Sequence, residues 1–268
     1  MRPQVRPPRG IPLKAVIPNA VTALALCSGL TGVNFAIKGD WERAVAFVII
    51  AGVLDGMDGR IARMLKGQSR FGAELDSLSD VIAFGVSPAI IIHLWSLQFW
   101  PRFGWVFALA YAVSAALRLA RFNASIDVEE QPHKSAGFLT GVPAPVGAGL
   151  MLFPLYLWMA SDRQWVWLQD WRLVAPWAGL CAFLMVSNLA TFSWTSLRLR
   201  QRVRLWVILL VALVGGALFS APWQTLSVVA VLYVLMIPFS ILSYAKVRRQ
   251  RAAATAPRAP SPPDADAN

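Results

Sequence analysis

Residues 54–80 read LDGMDGRIARMLKGQSRFGAELDSLSD, between the apolar runs AVAFVIIAGV (44–53) and VIAFGVSPAIIIHLW (81–95). Four aspartates, Asp55, Asp58, Asp76 and Asp80, thus stand in segments whose flanks suit lipid. One aspartate at the centre of a bilayer costs about 2.5–3.5 kcal/mol even on a lenient insertion scale. Four of them require compensation. Asp55 and Asp58 are three apart and Asp76 and Asp80 four apart, so each pair shares a helix face. The basic turn LKGQSR (65–70) makes the two helices antiparallel neighbours. At about 1.5 Å per residue, both pairs lie roughly 10–15 Å from the helix ends at that turn. The four carboxylates are expected to converge.

The rest of the chain supports a membrane setting. Of its 268 residues 57% are hydrophobic and 12 are Trp, with a mean hydropathy of +0.54, which excludes an ordinary soluble domain. A spanning helix needs roughly 20 mostly apolar residues. By that measure the expected fold is all-α, a polytopic helical bundle with about eight transmembrane helices, near 17–37, 42–64, 72–97, 103–122, 142–160, 173–193, 205–220 and 224–245. With the N-terminus in the cytoplasm, 20 of the 25 Lys and Arg residues fall on the inner side, as the positive-inside rule requires. The expected location is the cell (inner) membrane, with both termini cytoplasmic. The formal charge of +11 is then a match to anionic headgroups and not to nucleic acid.

Residues 1–16 read as a juxtamembrane segment, 17–247 as one membrane domain, and 248–268, rich in Ala, Pro and Asp, as a disordered cytoplasmic tail. LALC (24–27) imitates a lipoprotein cleavage box, but the apolar run continues past Cys27, so it reads as an uncleaved first span. Cys27 and Cys181 fall inside spans and act as small apolar residues. His93 reads as an interfacial or packing residue. Trp residues at 41, 95, 100, 105, 158, 165, 167 and 171 form an outer aromatic belt.

Converging carboxylates repel one another unless cations hold them. All-oxygen donors suit Mg²⁺, Mn²⁺ or Ca²⁺, and paired divalent ions are a recurring clamp in phosphoryl transfer. Gly59 and Gly72 clear space beside the acids, and Arg63 is placed to reach a phosphate oxygen. The competing account pairs the acids with Arg60, Arg63, Lys66 and Arg70. Matched depth and paired glycines favour the ligand role.

The pattern D-x2-D-G-x2-A-R-x8-G-x3-D-x3-D is complete in Asp55, Asp58, Gly59, Ala62, Arg63, Gly72, Asp76 and Asp80. It resembles the signature of the CDP-alcohol phosphotransferases. That resemblance implies a helical membrane enzyme in which a hydroxyl attacks the β-phosphate of a CDP-linked lipid and CMP leaves. It further implies two divalent cations, Mg²⁺ or Mn²⁺, held by Asp55, Asp58, Asp76 and Asp80, with Asp80 as the base. Asp55 and Asp76 would touch both ions, Asp58 the first and Asp80 the second. Asn19, Thr22, Gly59, Ala62, Arg63, Ser69 and Gly72 would bind the CDP-diacylglycerol headgroup, and the family implies a homodimer.

FGVSPA (84–89), RLARFN (118–123), FLTGVPAPVGAG (138–149) and LMVSNLATFS (184–193) resemble the bacterial phosphatidylserine synthase branch. ALALC (23–27) and Asn188 depart from that branch's usual residues. The substrates implied are CDP-diacylglycerol and L-serine. Arg118 and Arg121, three apart at the inner end of the fourth span, are the candidates for the serine carboxylate. Other acceptors, such as glycerol 3-phosphate, inositol phosphate or choline, use the same chemistry. A cation-coupled transporter is the alternative of another class. Against it, the acids occupy one hairpin with no counterpart in residues 140–245.

Overall fold

A computed structural model describes residues 13–124, 138–140, 142–187, 190–192 and 201–237. The tail from 248 and most of the N-terminal segment lie outside the described residues. Helix α1 (Leu13–Ile37) and helix α2 (Trp41–Leu65) form an antiparallel hairpin. The turn between them uses Gly39 at φ 74°, and Asp40 caps α2 by accepting from the Arg43 N–H at 3.1 Å. Small residues let the pair close: a Cβ on Gly32 would lie 2.8 Å from the Ala44 carbonyl oxygen. Ser28 Oγ donates to the Phe47 carbonyl at 3.0 Å.

Helix α2 ends in a Schellman turn. Lys66 takes a left-handed conformation (φ 50°), and the Gly67 N–H reaches back to the Ala62 carbonyl at 3.0 Å. Ser69 then caps helix α3 (Arg70–Trp95), its Oγ accepting from the Gly72 N–H at 3.0 Å. The expected six-residue turn is therefore a helix stop followed at once by a helix start.

Helix α3 passes through a π-helical turn at Val81–Val86, directly after Asp80. Pro88 has no N–H to give to the Phe84 carbonyl four residues earlier. The hydroxyl of Tyr111, fully buried on helix α4 (Gly104–Ala124), donates to that oxygen at 3.0 Å.

The chain continues through α5 (Ala144–Met151), α6 (Phe153–Ala160), α7 (Trp171–Val186), α8 (Gln201–Ser220) and α9 (Pro222–Ile237). The span expected at 142–160 is interrupted at Leu152, where ψ is 0° and Pro154 follows. One short antiparallel pair, β1 (Phe138–Thr140) with β2 (Ala190–Phe192), sets Phe138 opposite Phe192. It joins two of the motif segments and is a small departure from the all-α expectation.

Val16–Ile37, Arg70–Trp95 and Gly104–Ala124 are long and apolar enough to cross a membrane. Trp171–Val186, Leu205–Ser220 and Pro222–Ile237 are shorter apolar helices. Helix α2 has the length, but Glu42, Arg43, Asp55, Asp58, Arg60 and Arg63 lower its hydropathy. The core centres on Phe84, Trp95, Tyr111, Met151, Leu155 and Met185. Beyond α3, Ser96 Oγ donates to the Gln169 carbonyl at 2.8 Å, Gln169 Nε2 donates to the Trp95 carbonyl at 2.7 Å, and Trp100 stacks on Trp171 at 4.3 Å.

Candidate active site

The α2–α3 hairpin brings three of the four aspartates together. Asp55, Asp76 and Asp80 each offer a carboxylate oxygen within 4.8 Å of the others. Asp58 stands beside them in a different bond: buried, it accepts through Oδ2 from Thr22 Oγ1 at 2.6 Å. The Thr22 hydroxyl also lies 3.1 Å from the Pro18 carbonyl. Its single proton is better placed on the carboxylate, where the bond is shorter and charge-assisted. Ser79 Oγ donates to the Thr22 carbonyl at 3.2 Å, tying α3 to α1 between the two α3 acids.

Both ion pairs among the described residues, Arg43–Asp40 and Arg163–Glu42, lie away from these acids. The account that would neutralise the cluster with Arg60, Arg63, Lys66 or Arg70 therefore has no such pair among the described residues. Three convergent carboxylates with no close ion pair among the described residues are a hard, all-oxygen donor set, and the residues fit a divalent metal ion.

A cavity of about 330 Å³ opens beside the cluster. Asn19 and Thr22 line it from α1, Asp58, Gly59, Ala62 and Arg63 from α2, and Ser69, Gly72 and Asp76 from the start of α3. The residues expected at the nucleotide headgroup thus share one wall system. Pro18, Gly67, Gln68 and Ala73 also line it; of these the sequence signalled only the turn that holds Gly67 and Gln68.

The two glycines differ. The Cβ position of Gly59 faces open space, its nearest neighbour being Arg63 Nη1 at 4.0 Å. A Cβ on Gly72 would lie 2.7 Å from Asn19 Oδ1 and 3.1 Å from Ser69 Oγ. Gly72 therefore lets Asn19 approach the α3 backbone at the cavity edge.

The two arginines also part. Arg121 is exposed and its Nη1 donates to the Val186 carbonyl at 3.0 Å, at the C-terminal end of α7, where a cation suits the free carbonyls. Arg118 points inward. Its buried Nε has no hydrogen-bond partner among the described residues, and it lies close enough to Asp80 to interact electrostatically. Asn123, two residues beyond Arg121, donates to Ser77 Oγ at 2.9 Å and so braces the acid-bearing part of α3. His93 packs edge-on to Trp105 at 5.1 Å.

Comparison with known proteins agrees with this geometry. A family model described as CDP-alcohol phosphatidyltransferase matches residues 15–186. This chain belongs to the CDP-alcohol phosphatidyltransferase family. A second model, CDP-alcohol phosphatidyltransferase 2, matches residues 202–238. The chain is 38% identical to a CDP-diacylglycerol–serine O-phosphatidyltransferase of Mycobacterium tuberculosis, over 88% of this chain and 81% of the relative. It is 35% identical to the protein of that name from Mycobacterium leprae, over 84% and 74%. With that from Helicobacter pylori it shares 31%, over 82% and 88%. Family membership and the apolar helices together make this phosphatidyltransferase an integral membrane protein.

Proposed function

We propose that this protein is a phosphatidylserine synthase: it transfers the phosphatidyl group of CDP-diacylglycerol to the hydroxyl of L-serine and releases CMP. The observation that carries the reading is the Asp55–Asp76–Asp80 cluster, with the cavity lined by Asn19, Arg63 and Gly72 reaching Asp76 and Arg118 within electrostatic reach of Asp80. Donor and acceptor would then meet at the acids.

In this reading Asn19, Thr22, Gly59, Ala62, Arg63, Ser69 and Gly72 hold the CDP headgroup, with Arg63 on a phosphate oxygen. Asp55, Asp58, Asp76 and Asp80 would hold two divalent cations, Mg²⁺ or Mn²⁺. Such ions, when bound, neutralise phosphate charge and polarise the phosphoryl oxygens. Asp80 takes the proton from the serine hydroxyl as that oxygen bonds to the β-phosphorus and the bond to CMP breaks. Arg118 orients serine through its carboxylate. Arg121, hydrogen-bonded to the end of α7, is assigned to holding α4 against that helix. Eight spans, both termini in the cytoplasm, an inner-membrane location and a homodimer complete the proposal.

The test is CMP release by purified protein given CDP-diacylglycerol, Mg²⁺ or Mn²⁺, and each candidate alcohol in turn. Serine as the preferred acceptor is expected. Preference for glycerol 3-phosphate would replace serine and keep the reaction class, while absence of CMP with every acceptor would overturn both.

A further inference from the structure

We infer that Tyr233, on α9, completes the acceptor site: its hydroxyl and the Arg118 guanidinium together grip the carboxylate of the incoming amino acid beside Asp80. The inference rests on the serine reading above.

Two buried polar atoms without a hydrogen-bond partner among the described residues carry it, Arg118 Nε on α4 and the Tyr233 hydroxyl on α9. They come from helices far apart in sequence, yet the two side chains lie within electrostatic reach of each other, and Arg118 lies within reach of Asp80 as well. A buried donor left unmade is costly, more so when charged. Two of them within reach of each other, one also within reach of Asp80, mark a place prepared for an outside acceptor. Arginine offers only donors and tyrosine adds one more, whereas a carboxylate has about four lone-pair sites to receive them.

The neighbours sharpen the choice. Tyr111 also lies within electrostatic reach of Arg118, but its hydroxyl already donates to Phe84. Trp95 and Trp158 have unpartnered ring nitrogens too, but they pack against each other at 5.9 Å, away from the acids. Tyr233 falls in the stretch matched separately from the one that holds Arg118 and the acids.

The experiment is Tyr233→Phe in the full-length protein, purified in detergent. CMP release is measured against L-serine and against serinol, which replaces the carboxylate with a hydroxymethyl group. The KM for serine is expected to rise about ten-fold, the loss of one hydrogen bond to a charged group. The KM for CDP-diacylglycerol should stay put, and discrimination between serine and serinol should narrow. Because the hydroxyl has no hydrogen-bond partner among the described residues, the melting temperature should hold or rise.

An unchanged KM for serine would overturn the inference. So would an equal loss for serine and serinol, or a fall in melting temperature, which would mean the hydroxyl serves the fold. If the wild type does not use serine at all, the serine reading fails first. If it does and only the variant behaves as wild type, Tyr233 alone is misassigned.

Discussion

The two ends of α3 show opposite uses of polarity. At the Trp95 end, Ser96 and Gln169 take up carbonyls left free by the helix end and the loop, and Trp100 stacks on Trp171. At the Arg70 end, three carboxylates are crowded within 4.8 Å and neither described ion pair serves them. The first end answers the Trp95 and Gln169 carbonyls from within the chain and holds the fold together. The second crowds three carboxylates with no close ion pair among the described residues, Arg118 being placed within electrostatic reach of Asp80. Polarity that the protein does not itself answer is where its chemistry belongs.

That contrast can be broken most sharply at the acids. Asp76→Asn should cut turnover by about 10³-fold or more, the scale of losing several kcal/mol of transition-state charge stabilisation. Its melting temperature should hold or rise, since one of three like charges is gone. EDTA should silence the wild type, and Mg²⁺ or Mn²⁺ should restore it. Activity that survives either treatment would refute a metal role for the cluster.

Asp80→Asn probes the same cluster more narrowly. General-base assistance is worth about 10²–10⁴-fold, so kcat should fall within that range while CDP-diacylglycerol still binds in an equilibrium assay. A near-normal kcat would remove Asp80 from proton transfer. At the other end, Trp95→Ala should cost about 3–5 kcal/mol of stability, read as a lower melting temperature in detergent, with both KM values unchanged. A KM shift there would mean the ends are coupled and the contrast is false.

The smallest effect is expected at Gly72. Gly72→Ala gains up to about 1 kcal/mol of helix propensity, so stability should not fall. The new methyl group must nevertheless turn the Asn19 side chain aside at the cavity edge, which the flexible amide end does at little cost to the fold. Titration should show CDP-diacylglycerol binding weakened about ten-fold or more. Lost stability with intact binding would make Gly72 a packing glycine only.

Much of this site could be read from residues 54–80, because the spacing fixes both the helix face and the depth of each acid. Partners contributed by other helices could not. Arg118 and Arg121 look equivalent three apart on one helix, and only the end of α7, 65 residues from Arg121, separates them. The Thr22–Asp58 bond spans 36 residues, and composition carries no trace of it. Pro154 could have warned that 142–160 is not one helix, but hydropathy averages over such a break. The π-turn leaves no hydropathy signal at all, since inserting one residue keeps every position apolar.

That π-turn has a geometric consequence. A helix advances about 100° per residue, so one extra residue in a turn resets the rotational phase of everything beyond it. Upstream, the phase of α3 is dictated by Asp76 and Asp80, which must face Asp55. Downstream it is dictated by Ile91, Ile92 and Trp95, which must face the core. The widened turn at Val81–Val86 lets one rod satisfy both azimuths. Small residues secure it on two sides: a Cβ on Gly29 would lie 2.8 Å from Ala83 Cα, and one on Gly85 would lie 3.0 Å from Ala115 Cβ. The helix thus works as two independently oriented segments welded at a clamped joint, so the orientation of the acids need not follow from how the far half packs.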